Sequence, residues 1–424
     1  MKKIELNGLD ETIFYEESLH NMPVYIWQNP KLNGFYLSLC VKYGSLHTDF
    51  NFKNKTYHMP LGIAHFMEHI KFNEKKGIKA NDYFEKLGSD INAFTTFEYT
   101  NYEVFGNDSL EDNLSHLIKY VLTPYFTKGI IANEKGIITE EIKMDKDNPY
   151  SNLFFNSLSN VFKRSHYRNR VAGDVKDIKN ITLEDIKLIF EAFYHPENMF
   201  LVITGNINPY ESIQIVNDTL AKLNIKKYSR PEIIKEKEPI KVFKIDDTYY
   251  DNVELPKVKY CLKIPKKRFK DFEDVKLQAI LDIILNTNFG SVTDFNEELL
   301  ENNMILSFTY NASFYDDYLL INFTFESKMP EAVIGKIKEQ LENINVTEKD
   351  LTRSLNGSIA NLILKYDDIE LVSNDIQSDL IMYGTIHDNI KEMYKKITLS
   401  NVNKVIKSLE VSNVSITKVL PFMK

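Results

Sequence analysis

The order of local patterns repeats along the chain, and this restricts the fold more than any single residue does. Over 83–122 a short helical pattern leads into two strand patterns joined by a turn, then into an amphipathic helix that stops before Pro124. Residues 295–341 run through the same series: helix, strand, turn, strand, helix. A chain of 424 residues also exceeds what one core of ordinary size can bury. We read an internal duplication into two similar domains, 1–225 and 248–424. The stretch 226–247 between them is dense in charge and holds Pro231 and Pro239, the composition of an exposed connection. In the first domain the patterns predict strands at 24–27, 35–43, 93–97, 102–106 and 199–204. Helices are predicted there at 61–72, 81–87, 110–122, 134–145 and 183–194. The second domain reads as strands at 259–264, 305–312 and 318–325, with helices at 274–285, 295–302 and 330–341.

Several classes of function are disfavoured at once. No apolar run approaches the length of a membrane span. The first residues, Met1-Lys2-Lys3-Ile4-Glu5-Leu6-Asn7, lack the apolar stretch of a signal peptide. Cys40 and Cys261 are the only cysteines, one in each expected domain, and neither has a Cys or His partner at ligand spacing. That argues against a disulfide framework and leads us to expect a cytoplasmic protein. The net charge is −8 with Lys and Glu interspersed and no basic patch, so nucleic acid is not an expected partner.

The chemistry is concentrated in His65-Phe66-Met67-Glu68-His69, which fits the inverted zincin pattern His-x-x-Glu-His. On a helix, residues four apart project from one face, so His65 and His69 can share one metal ion. Glu68 lies beside that face, where a carboxylate can take a proton from an attacking water and pass it to a leaving amine. Pro60 is placed to start the helix. Leu61, Ile63, Phe66, Met67 and Ile70 make most of its surface apolar, so its His and Glu side chains must be bonded or bound to metal.

About seventy residues on, 134–145 offers a third ligand. Positions 134, 137, 138, 141 and 142 form one helical stripe, apolar at Ile137, Ile138 and Ile142. Glu134 and Glu141 lie within it, seven residues apart, while Glu140 points away. Inward carboxylates are rare unless paired or metal-bound. We assign Glu141 to the metal and Glu134 to a ligand imidazole behind it. Three protein ligands with one position left over form the open, catalytic type of zinc site. A metal-free cluster of hydrogen-bonded His and Glu would use the same residues; the downstream Glu pair favours Zn2+. His20, His47, His58, His116, His166 and His195 have no partner at ligand spacing and read as surface, capping or packing residues. The second copy holds only His387.

By these motifs the chain resembles the pitrilysin family of zinc metallopeptidases over nearly its whole length. Gly62-Ile63-Ala64 with the His-x-x-Glu-His run resembles the family's signature helix, and Glu134 with Glu141 its ligand helix. Asn92-Ala93-Phe94-Thr95 resembles the edge strand that pairs with substrate. Ala172-Gly173, Ile181-Thr182, Tyr194-His195-Pro196 and Asn198-Met199 resemble the end of the family's first domain. The nearest likeness is to short bacterial members that occur as active and inactive pairs, and to the beta subunit of the mitochondrial processing peptidase. The resemblance implies an α+β fold: two similar domains, each an antiparallel sheet covered by helices, facing each other as a clamshell around a chamber. It implies peptide hydrolysis there, with His65, His69 and Glu141 on zinc, Glu68 as base then acid, and substrate added to the edge strand.

One feature departs from the family. Active members use an Arg and a Tyr, seven apart, to hold substrate. Tyr310 is present here, but Asn303 stands where the Arg is expected, with Asn302 beside it. The expectation is a zinc-bearing endopeptidase subunit that cleaves or matures peptides. An inactive homologous partner would supply the Arg/Tyr pair, or the chain would pair with itself. A non-catalytic scaffold subunit of the same family is the alternative, and the intact His65, Glu68, His69 and Glu141 argue against it.

Overall fold

The computed structural model describes residues 1–75 and 79–422. These form two compact units, each assembled from three segments: 1–142, 170–235 and 362–390 in unit 1, and 143–169, 236–361 and 391–424 in unit 2. Each unit is α+β, with a mainly antiparallel sheet covered by helices.

In unit 1 the strands are β1 (Lys2–Leu6), β2 (Glu11–Glu17), β3 (Pro23–Gln28), β4 (Phe35–Val41), β5 (Asp49–Phe52), β6 (Lys55–His58), β7 (Asp90–Thr95), β8 (Thr100–Gly106), β9 (Met199–Gly205) and β10 (Glu232–Ile233). Seven of them form one sheet in the order β1-β2-β3-β9-β4-β8-β7, and β10-β5-β6 form a small second one. Among the described residues of this unit, β3 and β9 alone pair in parallel. β4 and β9 lie at the centre and every residue of both is buried, which suits their near-continuous apolar sequences. Alternation sends Leu37, Leu39, Leu201 and Ile203 to one face, where they pack with Phe66, Ile70, Leu117 and Val121. Cys40, Phe200 and Val202 go to the other face with Trp27. That face is covered by the helix Ile369–Met382 through Val372, Ile376 and Leu380. Segment 362–390 was expected in the second domain; it joins unit 1 because it carries the apolar stripe this face requires.

Unit 2 holds β11 (Asp246–Asp251), β12 (Lys257–Pro265), β13 (Ser307–Tyr315), β14 (Tyr318–Glu326) and β15 (Val414–Pro421), in the order β11-β15-β12-β14-β13. Among the described residues of this unit, β11 and β15 alone run parallel. One face packs Tyr260, Leu262, Ile321 and Phe323 against the helices Asp274–Phe289 and Pro330–Glu342. The other face presents Lys257, Lys259 and Lys263 from alternate positions of β12. Their ammonium groups sit 4.1, 4.7 and 4.9 Å from the ring centres of Tyr150, Phe154 and Phe162. Segment 143–169, expected in the first domain, therefore packs in unit 2: its helix Pro149–Val161 supplies rings to a lysine-bearing face.

The repeat is visible in the sheets. β4, β8 and β7 pair antiparallel in that order, as do β12, β14 and β13. In both copies the first strand of the repeated hairpin ends up at the edge of its sheet.

Candidate metal centre

The helix α1 (Ile63–Lys71) begins after Gly62, which has φ +80°. Pro60 does not start it. A Cβ on Gly62 would lie 2.2 Å from the Ala172 carbonyl oxygen, and one on Gly173 (φ +70°) would lie 2.6 Å from that of Leu61. Two backbones meet here at a distance only glycine allows, and the contact sets where α1 starts. Ile63, Ala64, Phe66, Met67 and Ile70 are buried. His65 and His69 are left on the remaining face, with ring centres 4.7 Å apart.

The next helices are α2 (Ala80–Lys86), α3 (Leu110–Leu122) and α4 (Lys128–Lys146). α4 starts six residues before the expected 134, and its buried stripe is Ile131, Glu134, Ile138 and Ile142. Ile137, expected within the stripe, is 47% exposed. The core that α4 meets buries the stripe 131, 134, 138 and 142, so that 137 and 141 lie on its margin. The Glu141 side chain is accordingly 46% exposed. It reaches the histidines from the open side: Oε1 is 3.4 Å from His65 Nε2 and Oε2 is 3.2 Å from His69 Nε2. Ligand atoms about 2.0–2.1 Å from a tetrahedral zinc stand roughly 3.3 Å from one another. Two imidazole nitrogens and a carboxylate at this spacing fit that ion.

Glu134 is buried behind His69, with Oε2 3.5 Å from His69 Nδ1. Its Oε1 accepts a hydrogen bond from Asn73 Nδ2 at 3.1 Å, and Lys79 Nζ is 3.8 Å away. His69 can thus present Nε2 outward while Nδ1 faces Glu134. His65 Nδ1 is buried and has no hydrogen-bond partner among the described residues.

Glu68 is also buried and brings a carboxylate oxygen within 4.8 Å of the ligand nitrogens of His65 and His69. Two carboxylates are therefore near enough to compete for the third ligand position. Glu68 Oε2 already accepts a 2.6 Å bond from Thr95 Oγ1, whereas both oxygens of Glu141 are directed at imidazole nitrogens. Glu141 suits the ligand role and Glu68 that of a base. Hydrogen bonds to His65 and then His69 hold the Glu141 carboxyl well below the usual carboxylate range. For His69, burial acts downward, but bonds to Glu134 and Glu141 prevail and push it up to about 9. Burial would raise Glu134; its bonds to His69 and Asn73 lower it instead. Without metal, the cluster is a protonated imidazole held between carboxylates.

Asn92, Ala93, Phe94 and Thr95 all lie on β7, the sheet edge, which pairs only with β8 among the described residues. Asn92 Nδ2 donates to Glu103 Oε1 at 3.2 Å. The outer edge of β7 has no strand partner among the described residues, and α1 and α2 pack beside this strand. Tyr310 lies on β13 of unit 2, where its hydroxyl donates to Asn286 Oδ1 at 2.8 Å. Asn303 has φ +51° and closes the helix Asp294–Glu301, its N–H bonding to the Leu300 carbonyl. A left-handed cap favours Asn, and an Arg there would be strained. Sequence reasoning missed three contributors: the Thr95 hydroxyl, the Asn73 amide and the Gly62–Gly173 contact. Thr95 and both glycines lie in motifs that had been singled out for other reasons, whereas Asn73 carried no signal.

A duplicated α+β chain with His-x-x-Glu-His on one helix, a distal Glu on another and an open sheet edge beside them has the make-up of an inverted zincin. The chain belongs to peptidase family M16, the insulinase or pitrilysin family. Residues 25–175 match "Insulinase (Peptidase family M16)" and 180–357 match "Peptidase M16 inactive domain". The chain is 31% identical over 433 residues to the uncharacterized zinc protease YmfH of Bacillus subtilis, covering 99% of each. It is 25% identical over 344 residues to the zinc protease PqqE of Helicobacter pylori, covering 74% of this chain and 75% of that one. A putative M16-like peptidase from Alicyclobacillus acidocaldarius superposes with a TM-score of 0.91 at 22% identity, over 98% of this chain and 100% of the other. A peptidase M16 inactive domain from Pseudomonas fluorescens gives 0.78 at 16% identity, over 97% and 98%. At such identities the structural likenesses show the fold alone. Among the described residues, no helix is long and apolar enough to cross a membrane.

Proposed function

We propose that the chain is a zinc-dependent endopeptidase of family M16, acting on peptides as the metal-bearing member of a pair. One observation carries this reading: both oxygens of Glu141 stand 3.2–3.4 Å from the ε nitrogens of His65 and His69, with Glu68 alongside. His65, His69 and Glu141 would hold the ion. When bound, zinc would polarise the scissile carbonyl and acidify the attacking water. Glu68 accepts the proton of that water and returns it to the leaving amine. Glu134 keeps the His69 ring oriented through Nδ1. An extended peptide pairs with the open edge of β7 at Asn92, Ala93, Phe94 and Thr95 through backbone bonds.

The pairing reading is supported by the Asn at position 303 and by the engagement of Tyr310 with Asn286. The partner would be an inactive homologous subunit carrying the Arg and Tyr, and a second copy of this chain is the other arrangement. The two free buried cysteines are in keeping with a cytoplasmic setting.

The test is cleavage of a mixed peptide library by the purified zinc-loaded chain, with Glu68→Gln as control. Cleavage abolished in the variant supports the peptidase reading and, from a monomer, removes the need for a partner. No cleavage by a folded chain holding one zinc directs the search to a relative carrying the missing pair. Failure with that relative as well leaves the scaffold role.

A further inference from the structure

We propose that Thr95 is the positioning residue of Glu68. Its hydroxyl holds the carboxylate as a base and keeps it from becoming a fourth protein ligand of the metal. This rests on the reading of His65, His69 and Glu141 as the ligand set.

The argument starts from a count of hydrogens. A threonine hydroxyl has one to donate. Thr95 and Thr100 are cross-strand partners in β7 and β8, with hydroxyl oxygens 3.3 Å apart. Thr100 is fully buried, and its Oγ1 donates to the Tyr43 carbonyl at 2.9 Å. Thr100 can therefore only accept from Thr95, across 3.3 Å and as a neutral oxygen, whereas Glu68 Oε2 stands at 2.6 Å, the length expected of a carboxylate acceptor, and takes the Thr95 hydrogen. A β-branched side chain is stiff at χ1, so the donor is fixed in place. Glu68 by contrast has a long side chain, buried where few other partners are available.

The chemical consequence follows from the two oxygens. Thr95 occupies Oε2, which leaves Oε1 for the water proton. Released from Thr95, the carboxylate would find the metal position nearest, since it already lies within 4.8 Å of both ligand nitrogens. Four protein ligands make a closed site of the structural kind, without the open position that catalysis needs. β7 would then do two things: its backbone pairs with substrate, and one of its side chains sets the base.

Thr95→Val removes the hydroxyl and keeps the branched shape; Thr95→Ser keeps the hydroxyl; Thr95→Ala serves if the valine variant does not fold. Each is loaded with Co2+, and the visible absorption, the metal affinity by chelator competition, and kcat and KM on a peptide are measured. The valine variant is expected to bind cobalt tenfold or more tightly and to show a changed absorption envelope. Its kcat should fall about 10–100-fold with KM little altered. The serine variant, which keeps the hydroxyl on a freer side chain, should recover most of the wild-type spectrum, affinity and kcat that the valine variant loses. A valine variant with wild-type spectrum, affinity and kcat overturns the proposal. If the wild-type chain binds cobalt but cleaves nothing, even with a relative carrying the missing pair, the peptidase reading fails while the spectrum and affinity still decide Thr95. A wild-type chain that takes up no cobalt overturns both.

Discussion

Zinc affinity should rise steeply with pH, and the slope should belong to His69. Burial and the bonds to Glu134 and Glu141 together leave this imidazole titrating at about 9. A metal ligand must be deprotonated, so binding at pH 7 has to expel that proton. Two pH units below 9, the cost is about 100-fold in affinity, or about 2.7 kcal/mol. The side chain is 22% exposed, so solvent screening trims this figure without removing it. Each unit between pH 6.5 and 8.5 should therefore strengthen zinc binding roughly tenfold through His69 alone. Glu134→Gln keeps an oxygen near Nδ1 but removes the charge, so the variant's slope should be shallower and its affinity at pH 8.5 about 10–100-fold weaker. The assay is competition against a calibrated chelator at several pH values, with calorimetry in buffers of different ionisation heat to count protons. About one proton should leave at pH 7. An affinity flat from pH 6.5 to 8.5, or zinc uptake without proton release, would refute the reasoning.

Three more outcomes are expected. The metal-free protein should melt highest between about pH 4.5 and 6.5. Glu134 and Glu141 titrate lower in the fold, so their stabilisation is present above the ordinary carboxylate range and lost as acid reaches their folded values. His69 titrates higher in the fold, so its stabilisation is full below about 6.5 and fades as pH rises through about 9. A melting curve still climbing at pH 9 would contradict this. Gly62→Ala should cost about 2 kcal/mol or more in denaturant unfolding and weaken metal binding, since φ +80° and the Ala172 carbonyl both oppose a Cβ. A change under 0.5 kcal/mol would mean that the close approach does not set the start of α1. Ile376→Ala should destabilise by about 2–5 kcal/mol through the cavity it leaves under the helix Ile369–Met382. An unchanged unfolding midpoint would show that this helix is not part of the unit 1 core.

Much of the candidate site can be read from the sequence because its logic is local. The offsets within 65–69 place two imidazoles and a carboxylate on one turn of helix. Residues 110–122 form a helix with the bounds their spacing predicts, because propensity and periodicity agree there and Pro124 follows. The repeat of helix, strand, turn, strand, helix likewise depends on short-range pattern, and it recurs as two hairpins at two sheet edges. Periodicity states that a residue is apolar on one side; it does not state what that side will cover. Hence segments 143–169 and 362–390 were assigned to the wrong neighbours: a lysine-bearing face of β12 and an apolar face of β4 and β9 chose them. The same reason put Ile137 at the surface and Glu141 at the rim, since the inward stripe of α4 is set by the core it meets. Thr95 reached Glu68, and Gly62 reached Gly173, across separations that no local pattern encodes. The sequence by itself determined which groups are available and how they are spaced along each helix. Tertiary packing alone decided which of them meet, because contact between distant segments depends on the shape of the faces they bury.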